Sequence, residues 1–332
     1  MSQIKPILEI KNLSVEFQTV EGTVHAINSL CYTLHEGETL GIVGESGSGK
    51  SVSSLGIMKL IPNPPGKIVN GEILYNEMDL VKNSEKQMEK IRGNEISMIF
   101  QEPMTSLNPI ITCGKQIAES LVLHRGLNKK EAMQAAIQMM QEVGIASPQK
   151  RANEYPHQMS GGMRQRIMIA MALACNPKIL ICDEPTTALD VTIQAQILDL
   201  IRKLNNGTGT AIIMITHDLG VVSELCERVI VMYTGRIVED APTEEIFENP
   251  LHPYTIGLIS AIPRITKERN PLMTIEGVVP NPTEIIKGCS FSPRCKYATA
   301  QCKTQEPPLV QVDENRKVRC WNFDVGNQKK EA

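Results

Sequence analysis

Up to about residue 245, segments with the hydrophobic pattern of strands alternate with segments that have the hydrophobic spacing of helices. Short apolar runs and period-two alternation predict strands over Ile7–Ile10, Ser14–Phe17, Thr39–Val43, Gly71–Tyr75, Ser97–Phe100, Lys178–Cys182, Ala211–Ile215 and Val229–Tyr233. Helical spacing predicts helices over Lys50–Leu60, Gly161–Cys175 and Ile193–Leu204. Strands that alternate with helices in this way favour an α/β fold with a parallel sheet.

Two stretches depart from that rhythm. Residues 114–143 carry only helical spacing, broken at Gly126, which predicts a helical subdomain inserted over about residues 102–160. Beyond about residue 245 prolines recur and regular periodicity is lost. We therefore expect a main domain over residues 6–245 and an irregular C-terminal extension over residues 246–332.

Composition excludes some classes of protein. Of the 332 residues, 42% are hydrophobic, which suits a sizeable core. The net charge of −3 leaves no broad basic surface of the kind that binds nucleic acid. The longest apolar run, Ile167–Cys175, is far shorter than the ~20 residues that cross a bilayer. We expect no membrane span, no signal peptide and no nucleic-acid partner.

A glycine-rich loop connects the strand Thr39–Val43 to the helix that follows. It matches the phosphate-loop pattern G-x-x-x-x-G-K-[ST] in full, with Gly44, Glu45, Ser46, Gly47, Ser48, Gly49, Lys50 and Ser51. Backbone N–H groups of Gly47 and Gly49 should cradle phosphates, and the Lys50 ammonium should bridge the β and γ groups. The Ser51 hydroxyl is an expected ligand of Mg²⁺. The loop thus predicts a nucleoside triphosphate site.

Polar residues stand at the ends of three further predicted strands. Asp183 ends an apolar strand, the usual place of the second Mg²⁺ ligand. Glu184 follows it, where a carboxylate either orients and deprotonates water or is a solvated strand-end acid. Gln101 could reach the metal or the water, and His217 could contact the γ-phosphate. Taken alone, these two could equally be a loop glutamine and a structural histidine.

A second anion-binding pattern lies between the phosphate loop and Asp183–Glu184, which we call the acidic strand end. Ser160, Gly161 and Gly162 open a predicted helix, so they offer a hydroxyl and bare N–H groups to an anion. Because the chain already has one phosphate cradle, we expect this one to serve the nucleotide of a neighbouring cassette.

These residues together resemble the ATP-binding subunit of an ABC transporter over residues 7–245. In that family's terms, Gly44–Ser51 is Walker A, Ile179–Asp183 is Walker B and Ser160–Gly162 is the signature. The resemblance implies an α/β fold of the P-loop NTPase (RecA-like) kind, with an antiparallel β subdomain and the inserted helical subdomain.

The resemblance also implies roles for single residues outside these three motifs. Glu184 corresponds to the catalytic base, Gln101 to the Q-loop and His217 to the switch histidine. Asp190, in Ala-Leu-Asp, corresponds to the D-loop. Phe17 lies about where the family places an aromatic ring under adenine, although it could simply be a core residue.

The flanks of the signature point to one subfamily. Met159 and Met163 replace the ends of the common Leu-Ser-Gly-Gly-Gln. Ser-Gly-Gly-Met-Arg-Gln-Arg is typical of the D-type ATPases of bacterial oligopeptide, dipeptide and nickel importers. Three other stretches resemble the same subfamily, namely Gln101–Pro109, Asn249–Tyr254 and Leu258–Pro263.

The subfamily implies an ATPase that uses ATP and Mg²⁺ to drive import of oligopeptides or dipeptides. It would be a peripheral protein on the cytoplasmic face of the cell membrane. Its partners would be a second ATPase subunit, in a heterodimer, two transmembrane permease subunits and an extracellular solute-binding protein. The alternatives are an importer of nickel or another small solute, a non-transport cassette protein, and a cassette that binds ATP without hydrolysing it.

Four of the nine cysteines fall in the last 44 residues: Cys289, Cys295, Cys302 and Cys320. Their spacing is neither that of a zinc ribbon nor that of a ferredoxin, so spacing alone leaves an iron–sulfur cluster, zinc and no metal open. The D-type subunits bind a [4Fe–4S] cluster at this pattern, and the resemblance implies one here. We expect the other cysteines to be packing residues.

Overall fold

The computed structural model describes residues 5–102, 106–186, 191–262, 275–284 and 286–323. The strands are β1 (Leu8–Thr19), β2 (Gly22–Leu34), β3 (Thr39–Val43), β4 (Gly66–Tyr75), β5 (Met78–Asp79), β6 (Ile96–Ile99), β7 (Ile179–Asp183), β8 (Ala211–Ile215), β9 (Arg228–Tyr233), β10 (Arg236–Pro242), β11 (Val310–Asp313) and β12 (Arg316–Val318). The helices are α1 (Lys50–Ile57), α2 (Glu85–Ile91), α3 (Cys113–Arg125), α4 (Lys129–Glu142), α5 (Pro148–Arg151), α6 (Gly161–Leu173), α7 (Val191–Thr208), α8 (Leu219–Leu225), α9 (Thr243–Glu248), α10 (Pro253–Ser260) and α11 (Ala300–Thr304).

The chain divides into two compact units. The first contains His35–Thr39 and Lys82–Ile215. The second contains Pro6–Leu34, Leu40–Val81 and the chain from Thr216 onward. The phosphate loop and the C-terminal extension thus belong to one unit, whereas the acidic strand end and the Ser-Gly-Gly segment belong to the other.

The first unit holds a parallel sheet and a group of helices. Strands β6, β7 and β8 pair in parallel, and every residue of the three is buried. Continuous apolar runs such as Ile179–Cys182 suit this position, because a parallel strand is covered on both faces. Helix α3 ends at Gly126, whose φ of 66° is left-handed, and Asn128 caps α4 by accepting N–H bonds from Lys130 and Glu131.

The second unit holds an antiparallel sheet and a mixed one. The antiparallel sheet has the order β2-β1-β4-β5, with β1 paired on both sides. In the mixed sheet β3 runs parallel to β9, and β9, β10, β12 and β11 follow as antiparallel neighbours. Gly235, with a φ of 77°, makes the tight turn from β9 to β10.

The C-terminal extension contains short regular elements that its sequence does not predict. Helices α10 and α11 and strands β11 and β12 lie beyond residue 245, and β12 pairs with β10 through Glu239 and Val318. The expected boundary itself falls inside α9, Thr243–Glu248. Loops do connect these elements, and the strands are short, which is why no periodic pattern reveals them in the sequence.

Candidate nucleotide site

The phosphate loop lies in the second unit between the buried strand β3 and helix α1. Gly44, Gly47 and Gly49 have φ angles of 152°, 78° and 95°, a region that side chains rarely adopt. A Cβ on Gly49 would lie 2.5 Å from the carbonyl oxygen of Ala26. Glycine is therefore needed here both for backbone conformation and for space, and the loop presents the N-terminus of α1 to an anion.

Lys50 is bound within the loop. It is only 7% exposed, and its ammonium donates hydrogen bonds to the carbonyl oxygens of Gly44 and Glu45 at 2.7 and 2.9 Å. Its distance to the Ser48 hydroxyl is 3.4 Å. These acceptors keep the charged group at the loop, where phosphate oxygens can take their place.

Two further expected contacts of the nucleotide lie in the second unit. Phe17 is a half-buried residue of β1, and its ring lies over Gly66, where a Cβ would come within 2.6 Å of it. His217 follows β8 in the chain and is exposed. The next residue, Asp218, caps α8 by accepting the N–H of Gly220 at 2.9 Å.

The acidic strand end lies in the first unit and brings two expected residues together. Asp183, the last residue of β7, is 4% exposed. The Glu184 carboxylate accepts a 3.0 Å hydrogen bond from the side-chain amide of Gln101, although 83 residues separate the two. Glu184 also has a φ of 48°, and its N–H donates to the carbonyl of Ile215 at 2.8 Å. A left-handed conformation outside glycine is strained and concentrates at functional sites.

The Ser-Gly-Gly segment opens α6, as expected. Ser160 is the N-cap, and its hydroxyl accepts the N–H of Met163 at 3.3 Å. Ser160 and Gly161 are exposed, and apart from the two adjacent residues and the backbone of α6, no atom of the described residues lies within 4 Å of a Cβ built on Gly161. Met159 is buried, so its side chain packs inside the chain. The start of α6 is thus accessible at Ser160 and Gly161, where its N–H groups could meet an anion.

Residues Ala188, Leu189 and Asp190, the expected D-loop, lie outside the described residues.

The four C-terminal cysteines line one small cavity in the second unit, together with His252, Phe291 and Trp321. Their thiols are free, and the N–H of Cys289 donates to the carbonyl of Cys302 at 2.8 Å. Burial raises the pKa of Cys289 and Cys295, and that of Cys320 to about 12. In the described part of the chain, no three His, Cys, Asp or Glu side chains form a group arranged to hold a metal ion.

The five remaining cysteines are likewise not joined in disulfide bonds. Four of them are buried, as expected of packing residues: Cys113, Cys175, Cys182 and Cys226. Cys31 is half-buried, and its thiol lies 3.2 Å from the side-chain oxygen of Asn12.

Sequence reasoning missed two contacts of the phosphate loop, both made by Glu45. The Glu45 carboxylate forms a two-point ion pair with Arg294. The backbone N–H of Glu45 donates to the hydroxyl of Tyr254 at 2.8 Å. Arg294 lies 249 residues and Tyr254 209 residues away from Glu45 along the chain, so no local sequence pattern could have revealed either contact.

Two family models match the chain. Residues 27–187 match the ABC transporter family, and residues 238–302 match the oligopeptide/dipeptide transporter C-terminal region. The chain is 51% identical to the oligopeptide transport ATP-binding protein AppD of Bacillus subtilis, over 96% of this chain and 97% of that protein. It is 50% identical to OppD of Haemophilus influenzae, over 96% and 98% respectively. The chain belongs to the ABC transporter ATP-binding proteins of the oligopeptide/dipeptide transporter family.

Solved structures show the ABC cassette fold for this family member. A dimeric ATP-binding cassette, MJ0796, bound to ADP and phosphate, is 30% identical, with a TM-score of 0.65 over 71% of this chain and 98% of the cassette. The protein cbiO1 of Clostridium perfringens, part of the ABC transporter complex cbiONQ, is 26% identical, with a TM-score of 0.60 over 74% of this chain and 92% of its own.

In this ABC ATPase, Walker A lies in one compact unit and the other two motifs lie in the other. Walker A lies in the second unit, whereas Walker B and the signature lie in the first. Within the described residues, no helix has the length and apolar character needed to cross a membrane.

Proposed function

We propose that this chain hydrolyses ATP to energise the import of oligopeptides or dipeptides through a membrane transporter. The observation that carries the proposal is full-length similarity: OppD of Bacillus subtilis is 52% identical over 97% of this chain and 90% of its own length. Similarity that includes the C-terminal region favours the peptide-importer branch over cassettes in general.

The chain's own residues would bind ATP through the phosphate loop. The N–H groups at the start of α1 and the Lys50 ammonium bind the phosphates, since both are already fixed at the loop. Phe17 would stack on adenine. As the family resemblance implies, Ser51, Asp183 and Gln101 would hold Mg²⁺, which would neutralise charge on the β- and γ-phosphates.

Glu184 would serve as the base for the attacking water. Its carboxylate accepts a hydrogen bond from the Gln101 amide at 3.0 Å, and its backbone N–H donates to the carbonyl of Ile215, so both the side chain and the backbone of Glu184 are positioned. The amide donates to the ionised form of Glu184, which is the form that accepts a proton from water. His217 would contact the γ-phosphate.

The signature would complete the site of a second cassette. Ser160 and Gly161 are exposed, which supports a role for the ATP of a partner, while the partner's signature would cover the ATP at Lys50. Asp190 would serve the same pair of sites as the D-loop residue, as the family resemblance implies. The dimeric state of the MJ0796 cassette supports such a pair. We propose that the partner is a different ATPase subunit.

The remaining partners follow from the same branch of the family. Two transmembrane permease subunits and an extracellular solute-binding protein would complete the transporter. This chain would then be a peripheral subunit on the cytoplasmic face of the cell membrane. The ATPase domain would span residues 6–245, with the helical subdomain at about 102–160 against the permease. The extension would span residues 246–332.

For the cysteines, we propose a [4Fe–4S] cluster on Cys289, Cys295, Cys302 and Cys320. Support comes from the cavity that all four line and from an all-thiol donor set, which suits iron–sulfur clusters and zinc. Anaerobic purification with iron, sulfide and zinc analysis tests it. About four irons and four sulfides per chain are expected. Stoichiometric zinc, or a colourless metal-free protein, would overturn it.

Transport by the assembled complex tests the main proposal. The chain would be purified from detergent-solubilised membranes with its companion subunits, which are identified by mass, and returned to vesicles with the solute-binding protein. ATP-dependent accumulation of labelled peptides is expected. Accumulation of nickel but of no peptide would instead assign the chain to the nickel branch of the same family.

A further inference from the structure

Glu45, which follows Gly44 in the phosphate loop, is bound by two residues of the C-terminal extension. One guanidinium nitrogen of Arg294 lies 2.7 Å from a Glu45 carboxylate oxygen, and the second nitrogen lies 3.1 Å from the other oxygen. The backbone N–H of Glu45 donates to the hydroxyl of Tyr254 at 2.8 Å. Side chain and backbone of the same loop residue are thus fixed at once.

The Arg294 side chain is rigidly placed. It is 5% exposed, against 26% for Glu45, so water screens the pair weakly. Its guanidinium carbon lies 5.9 Å from the ring centre of Tyr233 and 6.0 Å from that of Phe291. Its Nε also donates to the carbonyl of Glu276 at 3.1 Å. A two-point, partly buried guanidinium–carboxylate pair is the kind that has geometric as well as electrostatic strength.

The Tyr254 hydroxyl is equally well supported. The ring of Tyr254 lies 4.7 Å from that of Tyr233 and 5.4 Å from that of Phe291, and these three rings form one aromatic cluster. Tyr233 is the last residue of β9, which pairs in parallel with β3, the strand that leads into the loop. The cluster therefore joins the C-terminal extension to β9, the neighbour of the strand that leads into the loop.

Glu45 is adjacent to the groups that would bind phosphate. Its own carbonyl and that of Gly44 accept the bonds from the Lys50 ammonium. A displaced Glu45 would move both carbonyls and the N–H groups that follow. We propose that Arg294 and Tyr254 are positioning residues, through which the C-terminal extension holds the phosphate loop in its nucleotide-binding shape. This inference rests on the proposed use of that loop for ATP.

Nucleotide binding by the purified full-length chain tests the proposal directly. Arg294→Ala removes the ion pair, Tyr254→Phe removes only the hydroxyl, and Glu45→Ala removes the shared partner. The control is Lys296→Ala, two residues from Arg294, because Lys296 pairs with Glu276 on the surface, at 67% and 74% exposure. A fluorescent ATP analogue with Mg²⁺ reports Kd, and thermal unfolding reports the folded fraction.

A positioning role predicts a particular pattern of affinities. Arg294→Ala should raise Kd about tenfold, Tyr254→Phe by a smaller factor, and Lys296→Ala should leave it unchanged. In a double-mutant cycle, Arg294→Ala should add little once Glu45→Ala is present. In the assembled transporter, Arg294→Ala should raise KM for ATP, while kcat at saturating ATP stays within about twofold.

Three results would overturn the proposal. They are an unchanged Kd in both Arg294→Ala and Tyr254→Phe, additive effects in the cycle, and an equal effect of Lys296→Ala. Should Arg294→Ala fail to fold, Arg294→Lys and Tyr254→Phe carry the test, because they keep the charge and the ring respectively. Failure of the proposed function looks different: the wild-type chain would bind ATP with this same pattern yet energise no peptide uptake.

Discussion

At the scale of single residues, the strain and the bonds of Glu184 make it the centre of the site. A left-handed backbone at a residue other than glycine costs of order 1–3 kcal/mol, and Glu184 adopts it with a φ of 48°. The bonds from Gln101 and to Ile215 hold it there. The strained backbone and these bonds hold the carboxylate in a fixed position, as is required of a general base that deprotonates a single bound water.

Replacement of Glu184 by glutamine should stop hydrolysis while ATP still binds. The amide has the same size but cannot take a proton, and a positioned general base contributes about 10²–10⁴-fold to a rate. Phosphate release by the assembled transporter measures the loss, with Glu89→Gln, an exposed residue of α2, as the control. Hydrolysis at the wild-type rate in Glu184→Gln would disprove the assignment.

Substitution of Gly49 by alanine should abolish nucleotide binding. The φ of 95° disfavours any side chain, and the new Cβ would lie 2.5 Å from the carbonyl of Ala26, so the loop must change shape. Gly207→Ala in α7 is the matched control, because a Cβ there meets no atom of the described residues within 4 Å. Equal ATP affinity in both variants would show that the loop tolerates the change.

At the scale of elements, the sequence reveals what local patterns encode. Strands β7 and β8 are apolar runs and lie where the sequence predicts them. Strand β10 is not predicted, because Glu239 and Asp240 interrupt its run of apolar residues. Both carboxylates are nonetheless buried, since Arg316 pairs with Glu239 at 3.1 Å and Arg228 with Asp240 at 2.9 Å. Arg316 lies 77 residues away from Glu239, so only the folded chain supplies it.

The same division holds for the candidate site. The glycine pattern predicts the phosphate loop because each glycine meets a local requirement of the backbone. The bond between Gln101 and Glu184, and the contacts of Glu45 with Arg294 and Tyr254, join residues that are far apart in sequence. Partners of this kind cannot be deduced from spacing, since any charged or polar residue of a distant segment would fit equally well.

Loss of Arg316 should destabilise the chain strongly. Arg316→Ala leaves the fully buried Glu239 carboxylate without its counter-ion, which costs about 3–5 kcal/mol in proteins. The exposed pair of Lys203 and Asp199 is the control, since Lys203→Ala should cost about 0–1 kcal/mol. Urea unfolding followed by circular dichroism compares the two. Similar losses for both variants would contradict the role assigned to burial.

At the scale of the whole molecule, the arrangement of the motifs favours the proposed partner cassette. Walker A and the signature lie in different compact units, and the signature residues Ser160 and Gly161 are exposed. Exposed N–H groups at a helix start have little use within this chain, which already has a phosphate cradle in Gly44–Ser51. The proposed pair of cassettes gives both features a function, because each chain then supplies half of each ATP site.

Gly161→Asp should therefore damage the assembled pair rather than the chain itself. The side chain would project into open space, so folding and ATP affinity of the isolated chain should stay as in the wild type. The added negative charge would repel a partner's phosphates, and hydrolysis at the partner's site should fall at least tenfold. A variant in which the partner's site stays fully active would refute the role of the signature.

The central claim, that ATP hydrolysis by this chain drives peptide import, is tested most directly by uptake into vesicles that hold the complete transporter. The account predicts that labelled peptide accumulates with ATP in the wild-type complex and that accumulation is lost in the Glu184→Gln complex. Equal, ATP-independent peptide uptake in the two complexes would contradict it, as would a complex that hydrolyses ATP but accumulates no peptide.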